Sequence, residues 1–162
     1  NTMAKYCENM RKTGVDGVFY AALGMARTGY FTLDEWNEFC KPYDLIAMEP
    51  IADLPNLVHT CGIYGNPERF TDYPCRVIHW AASAPGNPPM KGSSEWLKGK
   101  IAMGGCDERP FGQDKADVID EMCRITLTEM KGTPFLMAPE CSVSPNVLDS
   151  ELRAFRESVE KY

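Results

Sequence analysis

The sequence has little of several features that would each point to a particular class of protein. It holds only two histidines in 162 residues, and no Lys/Arg cluster exceeds two adjacent positions. No apolar run approaches the roughly 18 residues that a membrane-spanning helix needs. A net charge of −6 without basic clusters argues against a nucleic-acid surface. We therefore expect neither a nucleic-acid nor a membrane partner.

The composition indicates an ordinary globular protein. Apolar residues make up 44% and charged residues 25%, and the length suits one domain spanning residues 1–162. Seven cysteines, an odd number scattered along the chain, indicate reduced thiols and a cytoplasmic location. Residues 1–12 show no signal-peptide core. Because the chain begins at Asn1 rather than Met, we expect it to be part of something longer.

Five short apolar runs alternate with helical patterns along the chain. Such runs are typical of strands that are covered on both faces. Alternation with helices predicts an α/β fold with about five βα units, a parallel sheet and right-handed crossovers. The predicted strands are Gly17–Ala22, Asn56–His59, Arg76–Trp80, Ile101–Gly104 and Pro134–Ala138.

The helical segments carry start and stop signals. Thr32 and Glu35 form a capping-box pattern, and Pro42 is expected to kink that helix or to start a second one. Asp114 is predicted to cap a later helix, and the last helix is predicted near residues 149–161. Five βα units cannot close a (β/α)₈ barrel, which needs about 250 residues. The pattern thus leaves two architectures, an open doubly wound sheet or the trailing part of a barrel.

Polar side chains gather where the predicted strands end, which in both architectures is the functional edge. His59 and Cys61 end the second strand, Gly62 lets the chain turn away, and Cys141 follows the fifth. One imidazole and two thiolates can form a zinc site with one open position, as catalytic zinc requires. His-x-Cys alone carries little weight in a chain with seven cysteines.

The other candidate residues have competing interpretations. Cys40 and Cys123 lie on apolar helix faces and are expected to be core thiols, and Cys106 could serve packing or function. Glu140 is expected to face away from a metal bound by Cys141, because neighbours in extended chain face opposite ways. Other residues at strand ends are candidates for lining a substrate site: Tyr20, His79 and Trp80.

Several motifs resemble the C-terminal portion of the uroporphyrinogen decarboxylase superfamily, and together they span nearly the whole chain. These motifs are FTLDEWNEFCKPY at 31–43, LVHTCG at 57–62, VIHW at 77–80, MGGCDE at 103–108 and LMAPECSVSP at 136–145. That family folds as a (β/α)₈ barrel, so the resemblance implies a partial TIM barrel holding roughly the last five βα units. The first three units would then be absent.

Within the superfamily, the zinc-dependent methylcobamide:thiol methyltransferases, such as the coenzyme M enzymes, resemble the chain best. Their His-x-Cys and distant Cys match His59, Cys61 and Cys141, which implies Zn²⁺, a corrinoid on a carrier protein and a small thiol substrate. The family site can include a Glu between the cysteines, but residues 73–94 hold no acidic residue and His79 is the nearest substitute. The fourth ligand is therefore open, and no catalytic residue is predicted beyond the metal ligands.

Two other functions compete with corrinoid-linked methyl transfer in either direction. A decarboxylase-like enzyme for another small molecule would need no metal. However, the decarboxylases carry Gly-His-Gly where this chain has Glu140-Cys141-Ser142, and their substrate Arg and Asp lie in the absent front portion. The third possibility is a catalytically inactive fragment. A partial barrel leaves strand edges and core uncovered, so we expect a homo-oligomer.

Overall fold

The computed structural model describes residues 2–162. All five predicted strands are present and form one parallel sheet, with helices between and beyond them. The α-helices are α1 (Thr2–Lys12), α2 (Leu33–Phe39), α3 (Lys41–Met48), α4 (Ala116–Glu129) and α5 (Asp149–Lys161). The strands are β1 (Phe19–Leu23), β2 (Leu57–Thr60), β3 (Val77–His79), β4 (Ile101–Cys106) and β5 (Phe135–Pro139). Short 3₁₀ turns lie at Gly24–Ala26, Glu49–Ile51, Pro67–Phe70 and Ser93–Glu95.

The strand order decides between the two architectures that the sequence left open. The strands are hydrogen-bonded in the order β1-β2-β3-β4-β5, so each strand is added beside the one before it. A doubly wound sheet reverses its order at a switch point, whereas a barrel does not. The fold is therefore a partial TIM barrel with five consecutive strands.

One side of the sheet is packed and the other is largely open. The helix-facing side carries the main core, in which Val58, Ile78 and Ala102 are buried. The opposite side is what would be the barrel interior, and there Phe19 is 53% exposed and Leu136 46% exposed. The expectation that these strands are covered on both faces is wrong for this inner face, because no strands of the described chain close over it.

The predicted capping box is confirmed, and a second predicted cap is wrong. The Thr32 side chain accepts from the Glu35 N–H, while the Glu35 carboxylate accepts from the Thr32 N–H. Pro42 lies in the first turn of α3, so it starts a second helix as expected. Asp114 does not cap α4, whose first residue is Ala116 and whose N-cap makes no side-chain hydrogen bond.

A buried carboxylate from α5 takes over the role expected of Asp114. Glu151 is fully buried and accepts backbone N–H groups of Gly112, Gln113 and Lys115 before α4, and of Leu148 before α5. These bonds, led by that from Leu148, lower the pKa of Glu151 to about 2. One side chain thus satisfies donors at the starts of two helices and ties them together.

Replacing Glu151 with Gln is expected to weaken the acid dependence of stability. A carboxyl whose pKa is lower in the folded chain than its ordinary value of about 4.3 stabilises the fold above that value. That stability is lost as the pH falls from about 4 toward 2. Urea midpoints at a series of pH values should show a wild-type advantage over Glu151→Gln at pH 6 that shrinks across this window. Exposed Glu157 on the same helix is the control, and a gap independent of pH would contradict the assignment.

Candidate metal centre

The ends of two strands that are not adjacent, β2 and β5, bring three metal-capable side chains together at the carboxyl edge of the sheet. His59 lies in β2, Cys61 follows it directly, and Cys141 lies two residues beyond the end of β5. One ligand atom from each lies within 4.8 Å of the others. Among residues 2–162, this is the only group of three or more His, Cys, Asp or Glu placed in this way.

The separation of the two sulfurs suits a shared metal ion. Cys61 Sγ and Cys141 Sγ are 3.6 Å apart. A disulfide would require about 2.05 Å, and the cysteines are free. Two thiolates in tetrahedral positions around zinc, each at about 2.3 Å, are about 3.8 Å apart. The sulfurs would therefore need to move by only a fraction of an ångström to share an ion.

His59 supplies a neutral imidazole whose Nδ1 lacks a hydrogen-bond partner. The ring is 6% exposed, and its Nδ1 is buried without a hydrogen bond. Burial, and secondarily the neighbouring His79, lowers the pKa of His59 to about 4. The ring is thus uncharged at neutral pH, which is the state that ligates a metal. A buried polar atom without a partner requires an explanation, and ligation of a metal ion would supply one.

The loop after β2 is held in place by specific contacts. The Cys61 N–H donates to the Leu23 carbonyl at 3.2 Å. Leu23 reaches this position at an irregularity of β1, with a φ of 52° that is uncommon for leucine. Gly62 turns the chain away at a φ of +77°, as the sequence predicts. Arg27 then donates to the Ile63 carbonyl at 3.0 Å.

Burial and charge act in opposite directions on the Cys61 thiol. Burial raises the pKa of Cys61, the neighbouring Cys141 thiol raises it further, and the Arg27 guanidinium opposes both. A metal cation between the sulfurs would favour the thiolates that ligation requires. The donor set, the sulfur spacing and the unpaired Nδ1 of His59 together fit a zinc ion.

Cys141 follows a segment that is anchored to two other strands and their loops. The Glu140 N–H donates to the Cys106 carbonyl at 2.8 Å. The Glu140 carboxylate is 2% exposed and accepts the backbone N–H and the hydroxyl of Ser83. Glu140 therefore does not belong to the three-residue group, in agreement with the prediction that it faces away.

The three predicted lining residues fall on different sides of the sheet. Tyr20 faces the helices, where its hydroxyl donates to Asp44 at 2.6 Å. Trp80 is fully buried in the same core, with its Nε1–H donating to the Pro88 carbonyl at 2.8 Å. Only His79 lies on the inner face, with its ring centroid 4.6 Å from that of His59. Its ligand atoms are not part of the metal-capable group.

Sequence reasoning missed Phe19, which lines the inner face beside both histidines. Its ring centroid lies 5.7 Å from that of His59 and 5.8 Å from that of His79. Strand register aligns Phe19 with Leu57, two residues before His59 and on the same side. The alternation of side chains along the first predicted strand carries this signal, because it separates Phe19 from Tyr20.

Comparisons with known proteins bear on the fold. No protein-family model matches the chain, and a search of curated proteins found no match. Among solved structures, the chain is similar to a methyltransferase from Methanosarcina mazei, with a TM-score of 0.78 and 15% sequence identity. The match covers 98% of this chain and 46% of that methyltransferase, so the chain spans about half of its length. At this identity the likeness concerns the fold alone.

One structural observation concerns the lipid membrane. Within residues 2–162, every helix is too short or too polar to cross a lipid bilayer.

Proposed function

We propose that this chain carries the zinc site of a methyl transferase that moves a methyl group between a corrinoid and a small thiol. The observation that carries the proposal is the convergence of His59, Cys61 and Cys141, with their sulfurs 3.6 Å apart. Two further observations support it: the fold likeness to a methyltransferase and the motifs that resemble the methylcobamide:thiol branch. On this proposal, residues 1–162 form the C-terminal part of a uroporphyrinogen decarboxylase-like barrel.

The donor set defines the chemistry that such a site could support. Two thiolates and a neutral imidazole form a soft site that suits zinc and fills three of its four positions. When bound, zinc would supply Lewis acidity that lowers the pKa of a substrate thiol in the fourth position. The two cysteine thiolates would leave the bound sulfur electron-rich, so that it stays nucleophilic.

The rest of the chain would orient and shield the reacting sulfur. The inner face carries apolar side chains such as Phe19 and Leu136, which are exposed in this chain and would restrict water once that face is covered in an assembled barrel. The carboxyl edge of the sheet remains open, as the approach of a flat corrinoid on a carrier protein requires. When bound, a methylated corrinoid would supply the methyl group: the substrate sulfur would form the S–CH₃ bond, and the electron pair of the broken Co–CH₃ bond would remain with the corrinoid.

Metal removal tests this proposal directly. Wild-type protein is expected to hold about one zinc per chain and to demethylate methylcobalamin in the presence of a small thiol such as coenzyme M. A chelator should abolish the reaction, and zinc should restore it. The readouts are atomic absorption for zinc and the visible spectrum of the corrinoid. Wild-type protein without zinc would overturn the proposal and favour a metal-free reaction of the decarboxylase type.

The open inner face leads to a second expectation about partners, namely self-association. Phe19 of β1 and Leu136 of β5, the two outer strands, are each more than 45% exposed there. Exposed apolar surface and unpaired strand edges favour association. Light scattering at micromolar concentration should give a mass above 18.2 kDa. Phe19→Lys should shift the mass toward the monomer, and a wild-type monomer would contradict the expectation.

A further inference from the structure

We infer that His79 is a positioning residue: it holds the end of β5 so that the Cys141 sulfur lies beside that of Cys61. The inference rests on the proposed metal site and adds a residue to it. The sequence presented His79 as a possible substrate contact or fourth ligand. The contacts of its ring point to a different role.

The contact between His79 and the end of β5 fixes the state of the ring. His79 Nε2 lies 2.8 Å from the Pro139 carbonyl oxygen. A carbonyl only accepts hydrogen bonds, so Nε2 carries the hydrogen and donates it. The other nitrogen, Nδ1, is buried without a partner, and the residue is 5% exposed. Nε2 is thus committed to Pro139, and burial shields Nδ1 from solvent at the open edge.

The contact joins two strands that are not neighbours. His79 ends β3 and Pro139 ends β5, and β4 runs between them. Gly104 of β4 lies between them. A Cβ at Gly104 would lie only 2.8 Å from the Trp80 carbonyl oxygen, whereas at 3.8 Å it would make an ordinary contact with His79 Cδ2. Gly104 also adopts a φ of +137°, which side chains rarely tolerate.

The position of Pro139 explains why this contact matters for the metal site. Pro139 is the last residue of β5, two positions before Cys141, and proline has no N–H with which to anchor the chain. Its carbonyl receives the His79 hydrogen bond instead. Loss of the donor would leave a carbonyl in the interior without this partner, which favours a shift of the strand end. Metal–ligand distances tolerate only about 0.2 Å, so a small shift at Cys141 would weaken binding.

Two substitutions of His79 separate positioning from simple packing. Gln can place a donor N–H near the position of the imidazole Nε2, whereas Leu fills the space without one. His79→Leu is expected to bind zinc about 10- to 100-fold more weakly than wild type, the usual cost of losing a group that orients a ligand. His79→Gln should stay within about threefold of wild type. Affinity would be measured by competition with a chromophoric chelator.

Cobalt substitution gives a readout that packing would not alter. Co²⁺ bound by two thiolates shows sulfur-to-cobalt charge-transfer absorption, whose intensity follows the number of thiolate ligands. We expect the wild-type intensity in His79→Gln, and in His79→Leu a reduction toward that of Cys141→Ser. Wild-type affinity and spectrum in His79→Leu would overturn the inference, as would a His79→Gln variant as weak as His79→Leu.

A measurement on the unaltered chain covers the case in which His79→Leu does not fold. Nitrogen-15 NMR of the zinc-free wild type should show His79 as the Nε2–H tautomer, and an Nδ1–H tautomer would overturn the inference. The two proposals fail in different ways. A wild type that binds no zinc overturns the metal site, whereas a Leu variant with unchanged zinc binding overturns only the role of His79.

Discussion

Cys141→Ala is expected to lose the bound zinc and with it thiol methylation. The substitution leaves His59 and Cys61 as the remaining members of the three-residue group. Two ligands from one short segment bind zinc far more weakly than three or four, so occupancy after dialysis should fall from about one ion per chain to nearly none. Atomic absorption measures the zinc, and the methylcobalamin assay measures the transfer.

Cys123→Ala is the matched control for this experiment. Cys123 is a fully buried thiol on α4, and its sulfur lies 3.8 Å from that of Cys106, so both act as core residues. Removal of this thiol should cost about 1 kcal/mol of folding free energy while zinc content and activity remain unchanged. Equal zinc content in the two variants would refute the assignment of Cys141 as a ligand.

Trp80→Ala is expected to destabilise the fold by about 3–5 kcal/mol. The ring is fully buried, lies 5.2 Å from the Trp96 ring between centroids and donates a hydrogen bond to the Pro88 carbonyl. Truncation would create a large cavity and leave that carbonyl without its donor. Because domains are stable by only about 5–15 kcal/mol, urea unfolding should show the loss clearly.

Trp80→Phe separates a core role from a substrate role. It retains most of the buried ring and should cost less stability than Trp80→Ala. The KM for the thiol should remain unchanged in the folded variant, because the ring does not reach the inner face. Normal stability together with a raised KM would indicate that Trp80 contacts the substrate, and would contradict a purely structural role in the core.

The strands could be predicted from the sequence because their signals are local. Short apolar runs beside loops and helices are enough to locate β1 to β5, and all five agree with the structure. The choice between a doubly wound sheet and a barrel depends on strand order, which no single segment encodes. The apolar runs alone predict strands covered on both faces, since Phe19 and Leu136 have the same apolar character as covered residues; the open inner face follows only from the partial-barrel architecture.

The helix caps show the same limit. Thr32 and Glu35 are three residues apart, so their reciprocal capping is visible in the sequence. Glu151 reaches donors that precede α4 by way of tertiary packing, across 36–39 residues. The local pattern therefore assigns the cap of α4 to the nearest carboxylate, Asp114. It does not identify Glu151, which accepts these backbone hydrogen bonds in the folded chain.

Only part of the candidate site could be predicted from the sequence. His59 and Cys61 share one strand end, but the approach of Cys141 depends on curvature across β2 to β5. The placement of Trp80 was also accessible from alternation alone. Neighbours along a strand face opposite sides, so if His79 points inward, Trp80 points toward the helices.

The eighty residues that separate Cys61 from Cys141 have a thermodynamic consequence. An ion bound by both sulfurs would act as a removable cross-link. It would close the chain between Cys61 and Cys141, which includes most of the sheet, into one loop. A permanent link of that length removes chain entropy worth on the order of 4 kcal/mol from the unfolded ensemble. Metal supply would thereby determine the free energy of unfolding of the cooperative unit that contains β2 and β5. This effect would add to any chemistry at the ion itself.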